Sequence, residues 1–213
     1  MNNVCVLCEG EGWYIVQQSE TKELEKKICS PCFEKNIKTK VIAKMQKISD
    51  AHIDLTKTIK NKNHETLCAE IKTGGLWIYG ETGAGKTHAA LYCIFEYLRN
   101  NYESTIERTR PGELRQLWAG QFEDAEFRQR LKKIVSANVL LFDDIDKFGK
   151  PTERQGQEIY DFFEVARSKN QKIICTSNTS IKEFTDKMPL EFRMTLLTRL
   201  TGRNGLVNEY KYV

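Results

Sequence analysis

The spacing of apolar residues divides the chain into three stretches. From residue 71 onward, short apolar runs at 76–79, 104–107, 139–142, 172–176 and 206–212 read as β-strands. Segments with helical spacing lie between them, at 87–100, 113–118, 125–134, 153–169 and 188–201. In the first of these, Ala89, Ala90, Cys93, Ile94, Tyr97 and Leu98 share one broad face. Apolar strands alternating with helices need cover on both faces, which predicts a three-layer α/β/α fold around a parallel sheet. Residues 37–70 carry Ile37, Val41, Ile42, Met45, Ile48, Ile53, Leu55 and Ile59 at helical spacing among many lysines. They predict a linker of one or two amphipathic helices ending near Asn61, Lys62 and Asn63. The lysines are either a solvated face or a partner-binding one. In residues 1–36 the strand-like run is Trp13, Tyr14, Ile15 and Val16.

The run at 76–79 leads into Gly80, Glu81, Thr82, Gly83, Ala84, Gly85, Lys86 and Thr87, and helical spacing begins at His88. This is a complete G-x-x-x-x-G-K-[ST] phosphate-binding loop. Its glycines let the backbone turn tightly and present successive N–H groups to the β- and γ-phosphates of a nucleotide. Lys86 adds a point charge there, and Thr87 offers a hydroxyl to Mg²⁺. A helix N-terminus following the loop faces the same phosphates.

Three later segments can complete the site. Residues 139–142 end on Asp143 and Asp144. A carboxylate at the carboxyl end of a parallel strand beside the loop can hold the Mg²⁺ hydration shell, which suits Asp143, and Asp144 is placed to polarise water. Asp146 reads as a turn or cap residue. Asn178 follows the run at 172–176 and can orient water without adding charge; a plain turn asparagine is the alternative. Arg199, near the end of an apolar helix, is placed to reach the γ-phosphate of a neighbouring copy, with Arg193 and Arg203 as rivals. Lys147, Phe148 and Lys150 combine charge with a ring on which single-stranded DNA can stack; otherwise they form a solvated loop with one anchoring aromatic.

Composition sharpens this picture. The chain has 213 residues and a net charge of +4, enough for one full domain and a small one. No run of about 18 apolar residues predicts a membrane span, and the N-terminus has no basic-then-apolar leader, so the cytoplasm is expected. No arginine precedes Arg99; the planar forks that suit phosphate and carboxylate all lie in the nucleotide-binding part. Four of the seven cysteines form two pairs, Cys5 with Cys8 and Cys29 with Cys32. Two such Cys-x-x-Cys turns make a tetrahedral Cys₄ site with no open position, which predicts a structural Zn²⁺ holding a segment too short to bury its own core. An iron–sulfur cluster and a redox pair are the alternatives. Cys68, Cys93 and Cys175 read as small buried residues.

Residues 71–213 resemble the AAA+ ATPases, and within them helicase loaders of the DnaC and DnaI type and the IstB-type helpers of transposases. The resemblance rests on GETGAGKTHAA at 80–90, VLLFDDID at 139–146, ICTSN at 174–178 and TRLTGR at 198–203. It implies a five-stranded sheet of order 5-1-4-3-2. It also implies ATP or ADP bound by residues 80–88, Walker roles for Gly85, Lys86, Thr87, Asp143 and Asp144, a sensor role for Asn178 and a finger acting in trans for Arg199. The usual helical lid is not expected, since about ten residues follow Arg203. The usual Walker B glutamate is Asp144 here, which implies slow hydrolysis. The Cys₄ module resembles, more loosely, the DnaI-type module that docks on a replicative helicase.

These readings divide the chain into a Cys₄ module at 1–36, a helical linker at 37–70 and an ATPase domain at 71–213. The function expected is an ATP-dependent loader that self-associates through its ATPase domain and places a hexameric replicative helicase on single-stranded DNA. The rivals are a transposase helper, a replication initiator, an adaptor that holds nucleotide without turnover, and a small-molecule kinase. Initiators usually append a sequence-reading helix-turn-helix domain, for which no room is expected after residue 213.

Overall fold

A computed structural model describes residues 13–17, 24–28, 30–49, 62–122, 124–202 and 205–212. Strands β1 (Trp13–Gln17) and β2 (Leu24–Ile28) pair antiparallel, with Trp13 opposite Ile28 and Gln17 opposite Leu24. The second strand of this hairpin is not expected from the sequence, because LEKKI is mostly charged. Helix α1 (Ser30–Ile48) follows, starting before the expected position 37 and carrying Cys32 on its first turn. Helix α2 (Lys62–Thr73) begins where the linker helix was expected to stop.

The main sheet contains β3 (Gly75–Tyr79), β4 (Ile106–Thr109), β5 (Val139–Phe142), β6 (Lys172–Ser177) and β7 (Val207–Lys211). Its spatial order is β4-β5-β6-β3-β7, and every pairing is parallel. Counting these strands one to five along the chain, the order is 5-1-4-3-2, as expected. The helices between them are α3 (Lys86–Asn100), α4 (Pro111–Gly120), α5 (Ala125–Ser136), α6 (Glu153–Ser168), α7 (Ile181–Thr185) and α8 (Leu190–Thr201).

Side chains alternate across the sheet, so each central strand feeds two cores. Leu76, Ile78, Val139, Leu141 and Ile174 pack with α1, α2 and α3. Trp77, Leu140, Phe142, Ile173 and Cys175 pack with α4, α6, α7 and α8 and with Ile134 of α5. This places α1 and α2 in the layer that covers α3's side of the sheet. Gly75 is required by close approach: a Cβ there would lie 2.3 Å from the Ile173 carbonyl oxygen and 2.6 Å from that of Leu206. Strand β4 lies two residues beyond its expected position. Thr105 is tied instead to Asn138, whose Oδ1 accepts its backbone N–H at 2.8 Å, and α4 starts on Pro111.

Candidate nucleotide-binding site

The loop at 80–87 joins β3 to α3. Gly83 (φ +84°) and Gly85 (φ +93°) adopt left-handed conformations that a side chain would strain. Gly85 caps α3 without any side-chain hydrogen bond, and the first turn of α3 has no acidic residue. The N–H groups of that turn are therefore open to an anion, and the helix dipole favours one.

Lys86 folds over the loop and is buried. Its Nζ donates to the carbonyls of Gly80 (2.9 Å) and Glu81 (2.7 Å) and to Asn178 Oδ1 (3.0 Å). Burial lowers its pKa, a shift opposed by Asp146, Asp144 and Asp143. Thr82 Oγ1 also donates to Asn178 Oδ1, at 3.3 Å. The expected sensor residue thus meets the phosphate loop directly.

Asp143 is 1% exposed, and both its oxygens are engaged. Oδ1 accepts from Thr87 Oγ1 at 2.9 Å and Thr176 Oγ1 at 2.7 Å. Oδ2 accepts from Arg108 Nη2 at 2.6 Å and from Nε and Nη2 of Arg110, both at 3.2 Å. Burial alone would raise the Asp143 pKa, but hydrogen bonds from Arg108, Thr176 and Thr87 and the Arg108 charge outweigh it and hold it low. The Thr87 hydroxyl and the Asp143 carboxylate form a hard-oxygen pair, the donor set a Mg²⁺ ion takes.

Asp144 has a left-handed backbone (φ 56°) at the start of a 3-10 turn, Ile145–Phe148. Its N–H donates to Thr176 Oγ1 at 2.9 Å, and its Oδ2 accepts from Lys147 Nζ at 2.6 Å. Thr176 therefore ties Asp144 to Asp143. Asp146, expected only as a turn or cap residue, accepts two hydrogen bonds from Asn178, one from the backbone N–H (3.0 Å) and one from Nδ2 (2.9 Å).

Other expected residues lie elsewhere. Arg199 is paired with Glu164 of α6 at 2.6 Å, and Arg193 Nε donates to the Met188 carbonyl; Arg203 lies outside the described residues. Phe148 decides between its two readings in favour of the anchoring aromatic. It is 4% exposed and packs on Trp118 and Phe142, so its ring is part of the core and not a surface for stacking bases. Lys147 and Lys150 are exposed. Cys5, Cys8 and Cys29 also lie outside the described residues. Cys93 and Cys175 are buried as expected, and Cys68 is half-buried against Cys93.

Sequence reasoning missed Arg108, Arg110 and Thr176. Arg108 also donates from Nη1 to the carbonyl of Ile48, the last residue of α1, at 2.9 Å. Beside these residues a cavity of about 610 Å³ is lined by Lys47, Arg108, Arg110, Arg115 and Lys147, facing Asp144 and Glu113. The missed signal was a pair of arginines two positions apart, Arg108 in β4 and Arg110 just beyond its end, beside the carboxylate-bearing strand β5.

A phosphate loop, a strand-end carboxylate pair and a polar strand end on a parallel sheet of this order define an AAA+ P-loop ATPase domain. Residues 56–199 match the bacterial DnaA ATPase domain, and the chain belongs to that family. The DnaA chromosomal replication initiator of Campylobacter curvus (strain 525.92) is 28% identical over 129 residues, covering 59% of this chain and 29% of that protein. The chain thus spans under a third of this curated relative. Among solved structures, the DnaC helicase loader matches 75% of this chain and 96% of that chain, with a TM-score of 0.58 and 17% identity. A DnaA initiator bound to AMPPCP and single-stranded DNA matches 75% of this chain and 50% of that chain, with a TM-score of 0.56 and 18% identity. These two likenesses concern the fold. No described helix is long and apolar enough to cross a membrane.

Proposed function

We propose that the protein is a cytoplasmic, ATP-hydrolysing replication factor that binds a hexameric replicative helicase and places it on single-stranded DNA. The observation that carries this reading is the meeting of Lys86, Thr87, Asp143 and Asn178 at one loop. Residues 80–88 bind ATP or ADP, with the phosphates on the open N-terminus of α3. Lys86 exchanges its loop carbonyls for phosphate oxygens. Thr87 and Asp143 would hold Mg²⁺, which would supply positive charge at the terminal phosphates. Asp144 and Asn178 orient the attacking water. Arg199 completes the site of a neighbouring copy, which requires it to leave Glu164.

Cys5, Cys8, Cys29 and Cys32 hold a structural Zn²⁺ in this proposal. That module grips the helicase through residues 1–36 and the linker at 37–70. The cations around the cavity beside Asp144 favour a polyanion, which replaces the Phe148 stacking surface in the reading of DNA binding. The likeness to the DnaC loader and to a DNA-bound initiator supports replication as the setting.

Two measurements on the full chain test the proposal. Lys86→Ala should weaken binding of a fluorescent ATP analogue by at least about tenfold, and a tagged chain should retain a hexameric helicase and not a transposase. Undiminished nucleotide binding would overturn the site, and retention of a transposase alone would overturn the loader role in favour of the helper.

A further inference from the structure

Asp146 is the acidic residue of the 3-10 turn after β5, and both its oxygens face Asn178. The two residues lie 32 positions apart and meet because β5 and β6 are neighbours. On its other side the Asn178 amide meets Lys86 Nζ and Thr82 Oγ1 through Oδ1. A lysine ammonium only donates, and an ionised carboxylate only accepts. The two neighbours therefore agree on one amide orientation: NH₂ toward Asp146, carbonyl oxygen toward the phosphate loop. Rotating the amide by half a turn would set NH₂ against ammonium and oxygen against carboxylate.

We infer that Asp146 is a positioning residue for nucleotide hydrolysis, selecting the orientation of Asn178 that offers an acceptor oxygen over the phosphate loop. The inference rests on the ATPase reading above and deepens it. An acceptor there takes a hydrogen bond from Lys86 or from a water above the terminal phosphate; an NH₂ group takes neither. Asp146 makes its hydrogen bonds to Asn178, beside a longer-range charge effect on Lys86, and its bond to the Asn178 backbone fixes the strand end from which the amide projects.

The test is a double-mutant cycle in the full chain with MgATP. Asp146→Ala should lower kcat by about tenfold or more while leaving nucleotide Kd within about threefold. In an Asn178→Ala background the same substitution should change kcat by less than about twofold, because its target is gone. Asp146→Asn keeps the size of the turn residue, guards against a folding defect, and should lose rate as well. An unchanged kcat in Asp146→Ala, or losses that multiply in the double variant, would overturn the inference. One arm needs no turnover. The Asn178 side-chain NH₂ resonances, assigned by their disappearance in Asn178→Ala, should shift in Asp146→Ala, and unmoved resonances would also overturn it. A wild-type chain that never hydrolyses ATP would instead strike at the functional reading, leaving the resonances to decide the orientation.

Discussion

Asp144 combines a short side chain with a left-handed backbone, φ 56°, a conformation aspartate tolerates better than glutamate. A glutamate there would reach further toward a water above the phosphates. In steady-state phosphate release, Asp144→Glu should therefore keep or raise the hydrolysis rate, while costing about 1 kcal/mol of stability to hold the larger residue at positive φ. A collapsed rate with intact folding would remove Asp144 from the water-polarising role. At this scale Lys86, Thr87 and Asp143 were legible, because a contiguous motif and an apolar run ending in carboxylates fix them. Arg108, Thr176 and Asp146 were not legible. Their partners lie 35, 33 and 32 positions away, so their roles appear only once the strand order is known. Phe148 stayed open between a stacking ring and an anchor for a related reason: its neighbour Trp118 comes from a helix 30 positions upstream.

The strands that read most clearly, β3, β5 and β6, are apolar on both faces. Strand β4 carries Ile106, Glu107, Arg108 and Thr109, of which only Thr109 is buried, so its apolar run was too weak to fix the register. Helix α7, with five residues, is too short to show a period. Helix α1 has its own consequence. Lys44 of α1 donates to the carbonyls of Tyr102 and Ser104 just before β4, and the carbonyl ending α1 accepts from Arg108. Arg108 occupies Asp143 Oδ2, so a metal ion held there as proposed would compete with it. Arg108→Gln should lower by severalfold the Mg²⁺ concentration that half-saturates nucleotide binding, and Lys44→Ala, remote from the loop, should shift it too. Titrations that coincide with wild type for both variants would show α1 and the metal site to be independent.

Across the whole molecule, the ATPase sheet carries its own two apolar cores, to which α1 contributes Val41, Met45 and Ile48 with Ile37 packed alongside. Each core is built from sheet residues and the helices that cover them, so the nucleotide site is expected to fold without the proposed Cys₄ module. In the full chain, Cys8→Ser with Cys32→Ser should abolish zinc retention and helicase capture, with ATP-analogue affinity within about threefold of wild type. Joint loss of capture and nucleotide binding would mean that the two parts fold as one unit. The three-layer architecture was legible because alternation along strands and helices reports burial. The path from cysteine to carboxylate was not, because it runs through a backbone carbonyl, which no residue identity records.

Helix α1 runs 19 residues without a break, from the turn that carries Cys32 to the carbonyl that holds Arg108, a span of about 28 Å at the helical rise. It is a stiff lever with Cys32 at one end and, one arginine beyond the other, the Asp143 carboxylate. Tilting it by a few degrees at the cysteine end would tug on that arginine without any rearrangement of the sheet. A large partner seated on the start of this helix would then have mechanical access to the proposed ATP site from one helix length away.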